Sequence, residues 1–330
     1  MWLSTYIRLV RKPSKLSVRR KPESSKKSLL TRFRFSPEGQ FPNKSIVSDI
    51  NEVKCLRRCS SVLRYLMPSA DALVLRIVDF SETSRIVTLY TRQFGKIEAL
   101  AKGGRRLKGP FESSLDILAR NSIAFIQKRG DVLDLLTESK LIRRFRVRES
   151  NLAGTLGGYY AAELVHAFTP LGDAMPPLYD LTVKVLNQLE EGTFVMRTLI
   201  RFEGRLLHIL GHFPSLRNCV ECNMPIPREA DVRIVFGIPD GGVLCPACLS
   251  GHRQTIAVAA EVLDAWEALM NPLDRSEEWK HFPIKPQTLG MVRRLANQYI
   301  CSLLGWKPKL HDWWGVITKN DREKPRAISI

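Results

Sequence analysis

Four cysteines of this chain form two Cys-x2-Cys pairs, Cys219 with Cys222 and Cys245 with Cys248, separated by 22 residues. Two intervening residues let both sulfurs of a pair reach one ion, and two such pairs complete a tetrahedron. Full sulfur ligation leaves no open position for water or substrate, so an ion held here stabilises the fold. The spacing predicts one structural zinc ion and disfavours iron or a disulfide pair, and His252 stands nearby as a substitute ligand.

Apolar residues recur at helical spacing on both sides of the cysteine pairs. Pro176-Pro177 begins one such segment and Gly192 ends it, as these residues do at helix termini. Between the pairs, Val232 to Phe236 followed by a Pro-Asp-Gly-Gly turn predicts a β-hairpin. We expect a helical domain over 151–305 with a zinc-binding insert at 215–252, and then a tail at 306–330. The helical segments are Leu156–Phe168, Leu178–Leu189, Phe194 to about Gly211, Val258–Met270 and Leu289–Leu304.

The chain before this helical domain has a different pattern, with short runs of β-branched and aromatic residues separated by turns that contain glycine. Five such runs predict a small closed barrel. An OB-fold needs a barrel of this kind and commonly binds single strands, although an SH3-like barrel fits nearly as well. The predicted fold class is α+β, with an OB-fold barrel at 67–150. The predicted strands are Leu73–Phe80, Ile86–Thr91, Lys96–Lys102, Ser122–Gln127 and Leu133–Leu141.

One loop of the predicted barrel is strongly basic. Residues 101–110 read AKGGRRLKGP and carry four cations in seven positions, with no acid among them. Glycine allows the backbone to approach a polyanion, while Lys and Arg exchange condensed counterions for phosphate contacts. Because uncompensated like charges repel, we favour nucleic-acid binding over a merely solvated hairpin tip. The candidate contact residues are Lys102, Arg105, Arg106 and Lys108, extended by Arg85, Arg92 and Lys96 on the preceding hairpin.

Aromatic residues near this loop could stack on unpaired bases. They are Tyr90, Phe94 and Phe111, and for each of them a place in the hydrophobic core is the favoured interpretation. A second basic run, Lys140–Arg148, alternates its cations with apolar residues. This pattern indicates first a strand end with a charged outer face, and its cations are a secondary binding candidate.

The amino-terminal region holds most of the formal net charge of +18, with 16 Lys and Arg against 4 Asp and Glu in residues 1–69. It lacks sustained periodicity, and we expect residues 1–66 to be a disordered basic leader. Three interpretations stay open: an organellar targeting segment, a basic arm that attracts phosphate, and an upstream extension with translation starting at Met67. We favour the third. Cys55 and Cys59 lie in this region without a partner pair, so no role is assigned to them.

Several classes of protein are disfavoured by what the sequence lacks. Seven cysteines, of which three are scattered, do not fit a small secreted domain and favour a reducing cytoplasm. The apolar runs are too short for a membrane span. We find no phosphate-binding loop, clustered acidic pair or nucleophile elbow, so we expect neither enzymatic activity nor a small-molecule substrate. His208 and His212 lack the glutamate of a zinc protease and are interpreted as packing or helix-end residues.

The sequence resembles a known family in several segments. Residues 82–91 (ETSRIVTLYT), Phe94-Gly95-Lys96 and residues 101–106 (AKGGRR) resemble the amino-terminal OB-fold of the bacterial recombination-repair family RecO. Residues 202–207 (FEGRLL), then 211–214 (GHFP), are similar to that family's approach to its zinc site, and residues 241–245 (GGVLC) to the second cysteine pair. The likeness spans roughly residues 67–270 in the family's order. Gly109-Pro110 departs from the family, as does the leader.

The resemblance implies a function. Members of the RecO family bind single- and double-stranded DNA through the OB-fold and anneal strands. They act with RecR to help RecA replace single-strand-binding protein. It implies DNA contacts by Lys102, Arg105, Arg106 and Lys108, and zinc ligation by the four paired cysteines. We therefore expect a cytoplasmic, nucleoid-associated DNA-repair mediator.

Two other functions compete with this expectation. A barrel with a four-cysteine zinc knuckle would also suit an RNA-binding protein of translation or ribosome assembly, which would prefer strands that carry 2′-hydroxyls. A catalytic zinc enzyme is the third possibility, but four sulfur ligands leave its metal without an open position.

Overall fold

The computed structural model describes residues 69–315, apart from 107, 108, 110, 112, 113, 129, 131, 149, 150, 230, 231, 271–277 and 314. The predicted leader at 1–66, the alternative start at Met67, Cys55, Cys59 and Lys108 lie outside the described residues. So does residue 316 onward of the predicted tail. No helix among the described residues is long and apolar enough to cross a membrane.

The amino-terminal part is a closed five-stranded barrel with the order β1-β2-β3-β5-β4. Parallel pairing of β3 with β5 closes it, whereas the other pairs are antiparallel. This arrangement agrees with the predicted OB-fold. Alternate small and branched side chains fill the interior, among them Ala72, Val74, Val87 and Leu89. The strands are β1 Ser69–Asp79, β2 Arg85–Thr91, β3 Gly95–Ala101, β4 Arg120–Ile126 and β5 Asp134–Arg143.

Helices form most of the second part of the molecule. The second helix begins at Pro176 and ends before Gly192, which has a left-handed backbone conformation, as the sequence predicts. A buried polar network joins three helices: Glu203 accepts from the Tyr160 hydroxyl at 2.6 Å and pairs with Arg293 at 2.7 Å. The helices are α1 Leu152–Phe168, α2 Pro176–Glu191, α3 Val195–Ile209, α4 Ala260–Met270 and α5 Pro286–Leu304.

A three-stranded sheet carries the cysteine pairs, with the order β7-β6-β8. Its strands are β6 Arg233–Gly237, β7 Gly242–Leu244 and β8 Thr255–Ala259. The sequence predicts the β6–β7 hairpin but assigns residues from 253 onward to the helical domain. That assignment is wrong for β8, because Thr255, Ile256 and Val258 are β-branched and pair with β6 along its length.

Residues after Gly305 were predicted to form a tail. Lys309–Trp313 form a short 3-10 helix that contacts α1. The Glu163 carboxylate accepts from the backbone N–H of Lys309 at 2.8 Å and of Leu310 at 3.1 Å, and Leu310 is buried. This segment therefore belongs to the packed helical part.

Candidate nucleic-acid interface and metal centre

The four paired cysteines converge as the sequence predicts. Their sulfur atoms all lie within 4.8 Å of one another, and Cys222 Sγ is 3.7 Å from Cys245 Sγ. A tetrahedron with metal–sulfur bonds of about 2.3 Å has edges of about 3.8 Å, whereas a disulfide bond measures about 2.05 Å. The donor set and its spacing therefore fit a zinc site and could hold a metal ion.

Backbone groups support this cluster. The N–H of Cys245 donates to Cys219 Sγ at 3.4 Å, and the N–H of Asn223 donates to the Cys219 carbonyl at 2.9 Å, which closes the first turn. Although burial raises the pKa of Cys219, the backbone N–H groups of Cys222 and Cys245 outweigh it and lower this pKa to about 6. Hydrogen bonds with the neighbouring sulfurs raise the pKa of Cys248 to about 12. The four sulfurs can all be thiolates only with a cation among them.

His252 is near the cluster but bonded elsewhere. Its Nδ1 lies 3.0 Å from a carboxylate oxygen of Asp240, and its Nε2 lies 3.7 Å from Glu221. The sequence named His252 as a substitute ligand, yet the sulfur atoms complete the cluster without it.

The basic loop follows β3 and sits against the β1–β2 turn. Gly103 has a φ of +79°, so a residue with a side chain would be strained there. Lys102 and Arg106 are exposed, and neither has an ion-pair partner among the described residues. Arg105 is also exposed, but its guanidinium donates to the Ser81 carbonyl at 2.9 Å. In the described part of the loop, backbone hydrogen bonds of Gly104, Arg105 and Arg106 close the turn from which Lys102 and Arg106 reach solvent.

Arg85 lies beside this loop at the start of β2. Its Nε is 3.1 Å from a carboxylate oxygen of Asp79, which also lies 4.0 Å from the Nε of Arg105. One carboxylate thus partly compensates two of the predicted contact residues. Among the described residues of the predicted set, Lys102 and Arg106 are left with their full charge for an external anion.

The other two predicted contact residues, Arg92 and Lys96, flank the β2–β3 turn and face the helical domain. Arg92 donates two hydrogen bonds to Asp180 of α2, at 2.9 and 3.0 Å. Lys96 is buried, and its ammonium donates to the His166 carbonyl at 2.8 Å. Partners 88 and 70 residues further along the chain therefore bind these two cations, and the structure does not bring them together with Lys102 and Arg106.

The aromatic residue that is exposed near the basic loop is not one of the three that the sequence indicated. Phe111 is buried in the barrel core, and Phe94 packs edge-on against Phe125 at 5.4 Å. Tyr90 is buried too, but its ring lies 6.2 Å from that of Tyr179 in the helical domain. The core interpretation is therefore confirmed for all three, although Tyr90 lies outside the barrel core. Phe80, by contrast, is 61% exposed in the β1–β2 turn next to the basic loop. Sequence reasoning missed it because it ends a predicted strand, although its neighbours Ser81 and Glu82 already indicate a turn.

The second basic run, Lys140–Arg148, covers the end of β5 and the connection to α1. The Arg143 guanidinium pairs with Glu190 of α2, which also accepts from the backbone N–H of Arg146 at 3.0 Å. This run therefore joins the barrel to the helical domain, and its cations are partly compensated there.

Fold and sites together define a class of protein: an OB-like barrel with an exposed cationic loop, joined to a helical domain that carries four cysteines able to hold a metal ion. A protein-family model described as "Recombination protein O N terminal" matches residues 67–145. A second, described as "Recombination protein O C terminal", matches residues 149–311. The two matched ranges correspond to the barrel and to the helical part.

Curated relatives carry the name DNA repair protein RecO. The one from Rhodopirellula baltica is 43% identical over 259 residues, which cover 72% of this chain and 96% of the relative. The one from Myxococcus xanthus is 30% identical over 247 residues, which cover 75% of this chain and 96% of the relative. The chain belongs to the RecO family of DNA repair proteins.

Proposed function

We propose that this chain is a non-enzymatic mediator of DNA repair and homologous recombination that binds DNA through the basic loop of its barrel. Lys102 and Arg106 are exposed and without ion-pair partners among the described residues, and this observation carries the proposal. Exposed cations on an OB-like barrel suit a phosphate backbone, which is recognised largely without regard to sequence.

The wider role rests on family membership. We propose that the chain binds single- and double-stranded DNA, anneals complementary strands, and acts with RecR to help RecA displace single-strand-binding protein. Such work takes place at the nucleoid, in the cytoplasm. Nothing in this role needs a catalytic centre, because annealing and the displacement of a bound protein can follow from binding alone.

We infer that the four-cysteine cluster holds one zinc ion. Zinc favours tetrahedral sulfur coordination and has no redox chemistry. Cys219, Cys222, Cys245 and Cys248 would ligate it, and the ion would hold the two turns and the three-stranded sheet together. Its chemical contribution would be to offset half of the negative charge of four thiolates, without an open position for substrate.

Charge reversal tests the DNA-binding proposal. The double variant Lys102→Glu/Arg106→Glu of the full chain should bind a fluorescent thymidine 15-mer about tenfold or more weakly in dilute buffer, because two phosphate contacts become repulsions. The matched control is Lys184→Glu/Arg294→Glu, which changes the same charges at exposed positions of α2 and α5.

Fluorescence anisotropy gives both affinities. Equal binding by the loop variant and the native protein would contradict the proposal, as would an equal loss in the control. A competition series with RNA of the same sequence checks substrate class, and DNA is expected to compete at least as well. A preference for RNA would instead favour the translation or ribosome-assembly role.

A further inference from the structure

Phe80 is an unusual surface residue for its position. Its side chain is 61% exposed, although it directly follows the buried strand β1. Two backbone hydrogen bonds close the turn around it, from Phe80 N–H to the Ser84 carbonyl at 3.1 Å and from Ser81 N–H to the same carbonyl at 3.3 Å. A large apolar ring is thus held in water on a short, ordered turn.

The residues on both sides of Phe80 contact the basic loop. Ser81 accepts a hydrogen bond from the Arg105 guanidinium at 2.9 Å, and Asp79 lies 4.0 Å from the same group. The backbone N–H of Arg105 donates to the Thr83 carbonyl at 3.0 Å. These contacts hold the turn that carries Phe80 against the loop, whose exposed cations could hold a phosphate.

An exposed ring on a turn that contacts a cationic loop supplies the two parts of a single-strand site. The cations attract the sugar-phosphate chain, and an aromatic face stacks on a base of any identity. Bases within a duplex are already stacked and paired, so they cannot reach the ring without being extruded. The three aromatic residues that the sequence offered for this task are packed elsewhere: Phe94 and Phe111 against the barrel core, and Tyr90 against the helical domain.

We propose that Phe80 stacks on one unpaired base and so makes the barrel prefer single strands over duplex. The inference rests on the proposed DNA binding by the basic loop and adds to it the residue that distinguishes the two forms of DNA. The stacking contribution is independent of salt, whereas the contribution of the cations falls as salt rises.

The test uses the full chain, the variant Phe80→Ala and three ligands of equal length: a thymidine 15-mer, a 15-mer of abasic sugar-phosphate and a 15-base-pair duplex. Phe80→Ala should bind the thymidine strand roughly 5- to 150-fold more weakly, the range expected for one stacked base. Its affinity for the abasic strand and for the duplex should equal that of the native protein. Phe80→Trp should restore thymidine binding.

The control variant is Phe282→Ala, which removes an aromatic ring that is 46% exposed outside the barrel and should change no affinity. An equal loss on the abasic strand would overturn the inference, because the ring would then act through the shape of the loop. Unchanged thymidine binding by Phe80→Ala would also overturn it. In that case, weaker DNA binding by the Lys102→Glu/Arg106→Glu variant would still support the proposed function. Unchanged DNA binding by that variant would contradict both the proposed function and the inference about Phe80.

Discussion

The basic loop and the four-cysteine cluster each gather side chains of one charge sign, but they do so in opposite geometries. In the cluster, the sulfur atoms converge to within 4.8 Å of one another. In the loop, Lys102 and Arg106 are exposed to solvent on a glycine-containing turn. Converging ligands suit one compact ion, whereas exposed cations along a surface suit an extended polyanion. The geometry of each charged group thus indicates which kind of partner it suits, a compact cation in the cluster and an extended anion at the loop.

The β2–β3 turn provides the third case, in which the chain itself supplies the groups that bind its cations. Arg92 and Lys96 are as basic as the residues of the loop, yet Asp180 and the His166 carbonyl bind them. A local excess of charge indicates an external partner only when distant residues leave it uncompensated. Each of the three places therefore makes a separate prediction.

Metal removal should have the largest effect, because the cluster converges on an ion. Treatment with a chelator under reducing conditions should lower the melting temperature by about 10 °C or more, as expected where metal binding contributes to folding. Differential scanning calorimetry before and after treatment measures this. The variant Cys301→Ala, which changes a cysteine outside the cluster, should melt and respond as the native protein does. A chelated protein with an unchanged melting temperature would show that the cluster holds no structural ion.

Acid should weaken the junction at the β2–β3 turn. Burial, aided by Lys96 and Arg76, lowers the pKa of His166 to about 4. The unfolded chain binds this proton near pH 6.5. Stability from neutral His166 is thus complete above pH 6.5 and is lost as the pH falls towards 4, by at most about 2 kcal/mol after solvent screening.

The variant His166→Gln isolates this effect, since it keeps the backbone carbonyl that binds Lys96. Urea unfolding at pH 7 and pH 4.5 should show a smaller loss of unfolding free energy in the variant than in the native protein. Equal losses in the two proteins would mean that His166 titrates normally.

Breaking the Arg92–Asp180 pair should have the smallest effect, because both side chains are about half exposed. Arg92→Ala should lower the melting temperature by ~2 °C or less and leave affinity for single-stranded DNA unchanged. Thermal melting and anisotropy measure the two quantities. A large loss of DNA affinity would place Arg92 in the binding surface and would remove the distinction between the turn and the loop.

Local pattern was sufficient to predict most elements of the fold. All five barrel strands were found, and the largest boundary difference is the start of β1, at Ser69 instead of Leu73. That extension contains the small residues Ala70 and Ala72, which lack strand preference but face the core and lie along β4. The cysteine pairs were equally predictable, because ligand spacing is a local property.

Pairing across the chain was not predictable from one sequence. β8 was missed because its strand character depends on β6, about twenty residues earlier. The positions of Arg92 and Lys96 depend on residues of α1 and α2, and no local rule brings these into contact. Phe80 was missed for a related reason: exposure depends on how a strand ends, and an aromatic residue ordinarily indicates burial.

The salt dependence of single-strand binding tests the central claim most directly. We predict that log affinity for a thymidine 15-mer falls linearly with log salt in the native protein. In Lys102→Glu/Arg106→Glu, the magnitude of the slope should decrease by at least about 1.4, which corresponds to two lost phosphate contacts on a single strand. The control Lys184→Glu/Arg294→Glu should keep the native slope. Parallel lines for the native protein and the loop variant would contradict the claim that the barrel's basic loop is where DNA binds.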